Sequence, residues 1–72
     1  MKVYVVENVR PDMQVFGSYE KALEFAKTKA NKRNGPVSVW LENLNGVVEE
    51  VYRSRKLVGE SHINIYERTV EG

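Results

Sequence analysis

Few residues of this 72-residue chain have side chains that perform catalysis. The chain contains one histidine, His62, one aspartate, Asp12, and no cysteine. A hydrolytic triad needs a nucleophile, a base and an orienting group in contact, and these two residues form its one His–Asp combination. Asp12 follows Pro11 in a turn signal, which accounts for an aspartate by turn chemistry alone. Because His62 begins a predicted strand without an evident base partner, we expect a surface histidine and a protein that is not an enzyme.

The sequence also lacks a recognisable set of metal or phosphate ligands. Glu49 and Glu50 are its one adjacent acidic pair. Neighbours on a strand point to opposite faces, so these two carboxylates cannot chelate one ion together. The five glycines stand singly at turns and at the terminus, without a GxGxxG or phosphate-loop pattern. We therefore expect no metal and no cofactor.

One surface with chemical character is the basic flank of a predicted helix. Lys21, Phe25, Lys29 and Lys32 fall within about 80° of each other on a helical wheel, and Arg33 follows them. A basic stripe with an aromatic side chain suits the phosphates and bases of a nucleic acid. The simpler interpretation is a solvated helix face with Phe25 folded over the edge of the core, because the net charge is only +1.

A second surface is the predicted sheet face that points away from the helix. The residues expected to contact a partner there are Tyr4, Val6, Trp40, Val51 and Tyr66, with Glu42 and Arg53 at the rim. An exposed apolar patch on so small a domain usually marks a contact site, and Trp and Tyr are enriched at binding hot spots. Two alternatives stay open: long side chains and the 54–61 loop cover this face, or it stacks single-stranded bases.

Five short strands and one helix must position these side chains. Strands are predicted at Lys2–Asn8, Gln14–Phe16, Val37–Asn43, Val47–Arg53 and His62–Arg68. Ser18 is a good N-cap and Asn34-Gly35-Pro36 a good stop, which predicts a helix over about residues 19–33. Asn45-Gly46 favours a two-residue hairpin turn, which would place Val39 opposite Tyr52 and Trp40 opposite Val51. A longer loop would change that register.

These elements predict a single α+β domain over residues 1–72. We expect two layers, with a four- or five-stranded, mainly antiparallel sheet and the helix packed on one face. Residues 69–72 are expected to form a frayed tail. The predicted helix-facing core is Val3, Val5, Leu23, Ala26, Val37, Val39, Leu41, Ile63 and Ile65, with Phe16 at its edge.

Composition limits the environment in which such a domain works. The chain has a mass of 8.3 kDa and 42% apolar residues, and no apolar run approaches the roughly 20 residues that span a bilayer. Its N-terminus lacks the long apolar stretch of a signal peptide. We expect a cytoplasmic protein that does not bind membranes.

The order of the first two major elements supplies a resemblance. Met1-Lys2-Val3-Tyr4-Val5-Val6, followed by the segment Gly17–Ala26 (GSYEKALEFA), resembles many small uncharacterised proteins of phages and Gram-positive bacteria. The resemblance covers about the first third of the chain. It implies a phage or prophage setting, in which many small proteins bind a host enzyme or regulator and alter it.

The sequence thus predicts a non-catalytic protein-interaction module of phage type, which binds and modulates a host protein through its aromatic sheet face. One alternative is a nucleic-acid-binding protein that uses Lys21, Phe25, Lys29, Lys32 and Arg33, together with Arg55 and Lys56. The other is a homodimer that forms through the aromatic face.

Overall fold

The computed structural model describes residues 1–9, 12–55 and 61–71 and confirms the α+β fold. Its elements are β1 (Lys2–Glu7), β2 (Gln14–Phe16), α1 (Tyr19–Asn31), β3 (Val37–Glu42), β4 (Val48–Arg53) and β5 (Ser61–Thr69). The strands form one five-stranded sheet in the order β2-β1-β5-β3-β4. Helix α1 packs on one face of this sheet and contacts β1, β2, β3 and β5.

The sheet is mixed, with three antiparallel strand pairs and one parallel pair. Strand β1 pairs antiparallel with β2 and with β5, and β3 pairs antiparallel with β4. Strand β5 enters beside β3 in the same direction, so that Val37 lies opposite Ser61. Because β5 thereby lies at the centre of the sheet, its inward side chains, Ile63 and Ile65, are fully buried.

Helix α1 begins where local chemistry predicts and ends slightly earlier than predicted. The Oγ of Ser18 accepts a hydrogen bond from the amide of Lys21 at 3.2 Å, and Glu20 adds a negative charge to the first turn. The last helical residue is Asn31, two residues short of the predicted end at 33. The alanines of its apolar stripe, Ala22, Ala26 and Ala30, are fully buried. Small side chains at these positions let the helix backbone approach the sheet closely.

Strand β1 lies in the opposite phase to the predicted one. Val6 is fully buried beneath α1, and the ring of Tyr4 lies 5.8 Å from that of Tyr19 on the helix. Val3 and Val5 therefore face away from the helix, and their assignment to the helix-facing core was wrong. Both faces of this strand are apolar. The alternation of its side chains therefore cannot show which face packs against the helix.

The β3–β4 hairpin has a three-residue loop rather than the predicted two-residue turn. The amide of Asn43 donates to Val47 O at 3.0 Å, and the amide of Gly46 donates to Asn43 O at 3.0 Å. Gly46 adopts a φ of 81°, which glycine reaches without steric cost. The extra loop residue shifts the register next to the turn, so Trp40 lies opposite Glu50 and not opposite Val51.

A β-bulge at Val51 restores the predicted register further along the hairpin. Val39 lies opposite Tyr52, as the tight hairpin would place it, and Val51 is the extra residue between the two registers. Both Val51 and Tyr52 pack against the core beneath α1. Val51 therefore does not lie on the sheet face that points away from the helix.

The start of β1 lies beside the end of β5. Thr69 is the last residue of β5, and the amide of Val70 donates to Met1 O at 2.8 Å. The segment predicted to fray is thus held as far as Val70. Among residues 1–9, 12–55 and 61–71, no helix has the length and the apolar character needed to cross a membrane.

Candidate functional site

The sheet face opposite α1, called the open face below, combines aromatic, aliphatic and charged side chains. Strand pairing places Tyr66 between Val5 and Glu42, and Trp40 between Asn64 and Glu50. Directly paired residues share a face of the sheet. The open face therefore carries Val3, Val5, Glu7, Val15, Ser38, Trp40, Glu42, Val48, Glu50, Arg53, His62, Asn64, Tyr66 and Arg68. Within the described parts of the chain, no helix or strand packs on it.

Trp40 lies on β3 in the open face and is held there by His62. The indole Nε1 of Trp40 donates a hydrogen bond to His62 Nδ1 at 2.9 Å. The two ring centroids are 6.2 Å apart at an interplanar angle of 54°. The bond satisfies the indole N–H and leaves the half-buried ring as a fixed apolar surface.

His62 is the residue of this site whose role the sequence did not reveal. It was expected to be a surface histidine, and it is exposed as expected. Its contact with Trp40 depends on the parallel pairing of β3 and β5, which places His62 opposite Ser38, two residues from Trp40. No local signal in the sequence predicts that pairing.

Tyr66 lies beside Trp40 in a small electrostatic network. Its hydroxyl donates to Glu7 Oε1 at 3.3 Å, and the guanidinium of Arg68 lies 4.9 Å from its ring centroid. Arg68 also pairs with Glu42 at 3.1 Å. Burial, followed by the negative charge of Glu7, raises the pKa of Tyr66, so its phenol stays a neutral donor at physiological pH.

The remaining rim cation, Arg53, is also paired with a carboxylate. Its Nη2 and Nε lie 2.7 Å and 3.1 Å from the same oxygen of Glu50. Hydrogen bonds from Arg53 and then from Ser38 lower the pKa of the Glu50 carboxyl. Charges on this part of the face thus occur in matched pairs, so the face carries little net field.

A small cavity opens between the aromatic residues and the hairpin. It has a volume of about 110 Å³ and is lined by Trp40, Glu42, Val48, Asn64, Ile65 and Tyr66. A cavity of about 150 Å³ with apolar walls accommodates a benzene ring. The cavity on the open face therefore has the size of a single aliphatic side chain. Val48 at its edge is 54% exposed and widens the apolar surface around it.

The seven residues predicted to contact a partner divide between the two sides of the sheet. Trp40, Tyr66, Glu42 and Arg53 lie together on the open face. Tyr4, Val6 and Val51 lie on the helix side, which corrects their predicted placement. The phase of β1 and the bulge in β4 account for these three differences.

The basic flank of α1 does not present an aromatic stacking surface. The ring of Phe25 packs against Phe16 at a centroid distance of 5.2 Å, as the simpler interpretation of this flank predicted. The ammonium group of Lys29 lies 5.4 Å from the Phe25 ring. Lys21 is exposed on the helix, and Arg55 is exposed after β4. Lys56 lies outside the described residues.

Asp12 and His62, the one His–Asp combination of the sequence, lie in different parts of the described structure. Asp12 is exposed in the β1–β2 connection, and the ring nitrogen of His62 accepts from Trp40. Within residues 1–9, 12–55 and 61–71, no three His, Asp or Glu side chains cluster closely enough to hold a metal ion.

Comparisons of the chain with protein-family models, curated proteins and solved structures found no match.

Proposed function

We propose that this chain is a small non-catalytic domain that binds another protein through the open face and thereby modulates it. The observation that carries this proposal is the half-buried Trp40, held by His62 beside an aliphatic-sized cavity. Rigid aromatic anchors next to a pocket are the typical hot spots of protein interfaces. The phage setting implied by the opening segments makes a protein of the host cell the proposed partner.

The charges of the open face favour a protein partner over a nucleic acid. Arg53 and Arg68 already pair with Glu50 and Glu42, so a phosphate backbone would have to displace these carboxylates. Glu7 adds a further negative charge beside Tyr66. Nucleic-acid affinity depends on cations that neutralise phosphates, and this face offers few that are not already paired with carboxylates.

The cavity defines the chemistry expected of the partner. Its apolar lining residues, among them Trp40, Val48 and Tyr66, suit one inserted Leu, Ile or Val side chain. Around it, Asn64 and the two Arg–Glu pairs offer hydrogen bonds to a polar rim. An apolar centre with a polar rim is the usual anatomy of a protein–protein interface.

An affinity pull-down from lysate of the source cell or its host, with nuclease added, tests this proposal. The immobilised baits are the wild type, Trp40→Glu, Val48→Glu and the control Lys21→Glu, which lies on the exposed side of α1. We expect one protein in stoichiometric amount with the wild type and the control. Both variants of the open face should bind it at least about 30-fold more weakly, because truncation of a hot spot costs about 2 kcal/mol or more.

Val48→Glu keeps this experiment interpretable if Trp40→Glu disturbs the fold, since Val48 is exposed on the rim of the cavity. Circular dichroism and thermal melts of all four baits establish that each is folded. Capture that survives in both folded variants would contradict the proposal. Light scattering distinguishes this proposal from the homodimer alternative. We expect the wild type to have the monomer mass of 8.3 kDa. A wild-type mass twice as large, which both open-face variants reduce to the monomer mass, would show self-association instead.

A further inference from the structure

A second and larger cavity lies where the C-terminal end of α1 meets the end of β1 and the start of β5. Its volume is about 520 Å³, and it is lined by Asn8, Val9, Lys29, Lys32, Arg33 and Ser61. None of these residues belongs to the open face. Small-molecule sites typically have volumes of about 300–1,000 Å³, so the cavity can take a ligand larger than a single ion.

Among the described residues that line this cavity, three are cations and none is an acid. In the part of the chain that the structure describes, the carboxylate ion pairs involve Lys2, Arg53 and Arg68. They do not involve Lys29, Lys32 or Arg33. The positive charge at this cavity is therefore not balanced by a described carboxylate, which favours an anionic ligand.

Two of the three cationic side chains, Arg33 and Lys29, contact other parts of the protein. The guanidinium of Arg33 donates to the carbonyl oxygen of Asn8 and, at 3.2 Å, to Ser61 Oγ. These two bonds use two of its five N–H donors. Lys29 is positioned by its contact with the Phe25 ring at 5.4 Å. Cations that are positioned before a ligand arrives lose less entropy when they bind it.

Ser61 supplies a further donor at the same place. Its oxygen accepts from Arg33, so its own proton remains available to an incoming acceptor. A guanidinium, two ammonium groups and a hydroxyl are together the donor set that phosphate groups prefer.

We propose that this cavity binds the phosphate group of a small phosphorylated molecule through Lys29, Lys32, Arg33 and Ser61. A phosphate alone fills only part of 520 Å³, so the remaining space suits the organic part of a phosphate monoester. A nucleic-acid strand fits the site less well, because Phe25 is packed against Phe16 and the described lining contains no aromatic ring for a base.

Titrations followed by ¹⁵N–¹H NMR of the full chain test this proposal. The probes are inorganic phosphate, adenosine monophosphate and a single-stranded oligonucleotide without terminal phosphates, all at one ionic strength set with sodium chloride. We expect saturable shifts of the backbone amides of Lys29, Lys32, Arg33 and Ser61 with at least one of the first two probes. Tighter binding of the monophosphate identifies an ester as the ligand class, and equal binding identifies phosphate itself.

Lysine variants inside and outside the cavity test which charges bind the probe. Lys29→Gln and Lys32→Gln should each weaken binding about tenfold, the usual effect of losing one charge-assisted hydrogen bond. Lys21→Gln removes the same charge from the same helix outside the cavity and should leave affinity unchanged. Trp40→Glu should also bind the probe normally, which separates this site from the open face.

Three results would overturn the proposal. The first is a set of shifts that sodium chloride alone reproduces. The second is an equal loss of affinity in Lys21→Gln and Lys32→Gln, which would indicate diffuse attraction to the helix. The third is binding of the oligonucleotide with no response to either phosphate probe.

Discussion

At the scale of single residues, the pair Trp40–His62 explains why the open face is suited to binding. A freely rotating tryptophan side chain loses conformational entropy when a partner fixes its rotamer. The ring of Trp40 is already fixed by its 2.9 Å hydrogen bond to His62, so it loses less entropy on binding. The sequence placed Trp40 and Tyr66 on this face because both belong to strands with clear alternation. It could not supply the partner of the indole N–H, because that partner comes from a strand 22 residues further along the chain.

The loop glycine Gly46 gives the first prediction at this scale. Its φ of 81° is in the left-handed region, and a Cβ added there would meet no atom within 4 Å. Gly46→Ala should therefore reduce the free energy of unfolding by about 1 kcal/mol through backbone strain alone. Gly17→Ala is the matched control, since its Cβ also meets open space and its φ lies outside that region. Urea unfolding measures both variants, and an equal effect of the two would contradict this account of the loop.

The Glu67 carboxylate gives a pH-dependent prediction. It accepts hydrogen bonds from Tyr4 Oη at 2.9 Å and from the amide of Leu44 at 3.1 Å, and it lies 3.8 Å from Lys2 Nζ. These contacts, the Tyr4 hydroxyl foremost, lower the pKa of Glu67 from its ordinary value of 4.5. As pH falls, the unfolded chain takes up this proton first. The stabilisation is therefore present above the ordinary pKa and is lost as pH falls through the folded-state pKa.

Urea midpoints measured between about pH 6 and about pH 3 test this linkage. The wild type should lose stability towards acid, and Glu67→Gln should lose less, because a neutral amide does not titrate. A smaller acid loss remains in the variant, since Arg53 also lowers the pKa of Glu50. If the urea midpoints of the wild type and the variant decrease equally towards acid pH, Glu67 does not contribute to the pH dependence of stability.

At the scale of elements, the strength of a local signal decides what the sequence could predict. The helix had a cap, a stripe of alanines and a stop, and its predicted position is correct to within two residues at its end. Strand β1 had apolar residues on both faces, so its phase could not be predicted and was wrong. The hairpin loop was one residue longer than Asn45-Gly46 suggested, and the bulge at Val51 compensates for that difference. A bulge of this kind depends on the packing of the whole sheet, so the residues next to it do not predict it.

The close contact between α1 and the sheet gives a prediction for the helix. Ala26 is fully buried, so a larger side chain at this position has no room without displacing the helix. Ala26→Leu should destabilise the domain by about 1–3 kcal/mol, the usual cost of overpacking. Glu24→Leu adds leucine at an exposed position of the same helix and should change stability by less than about 0.5 kcal/mol. Thermal and urea unfolding compare the two, and a neutral Ala26→Leu would contradict the close packing.

At the scale of the whole molecule, one helix on a five-stranded sheet leaves two surfaces with different chemistry. The open face has paired charges around aromatic anchors, and the cavity at the end of α1 has three cations without a described carboxylate partner. The sequence predicted that the sheet would have one uncovered face, because a single helix covers only one side. It did not predict the second cavity, which forms where residues 8, 33 and 61 meet through contacts distant in the chain.

The most direct test of the central claim maps the surface that the captured partner covers. The ¹⁵N-labelled chain is titrated with the unlabelled partner, and the backbone amides that shift or broaden are identified. We expect them to cluster at Trp40, Glu42, His62, Asn64 and Tyr66, and we expect amides on the exposed side of α1 to be unaffected. Changes confined to α1, with β3 and β5 unchanged, would contradict the claim that the open face is the binding surface.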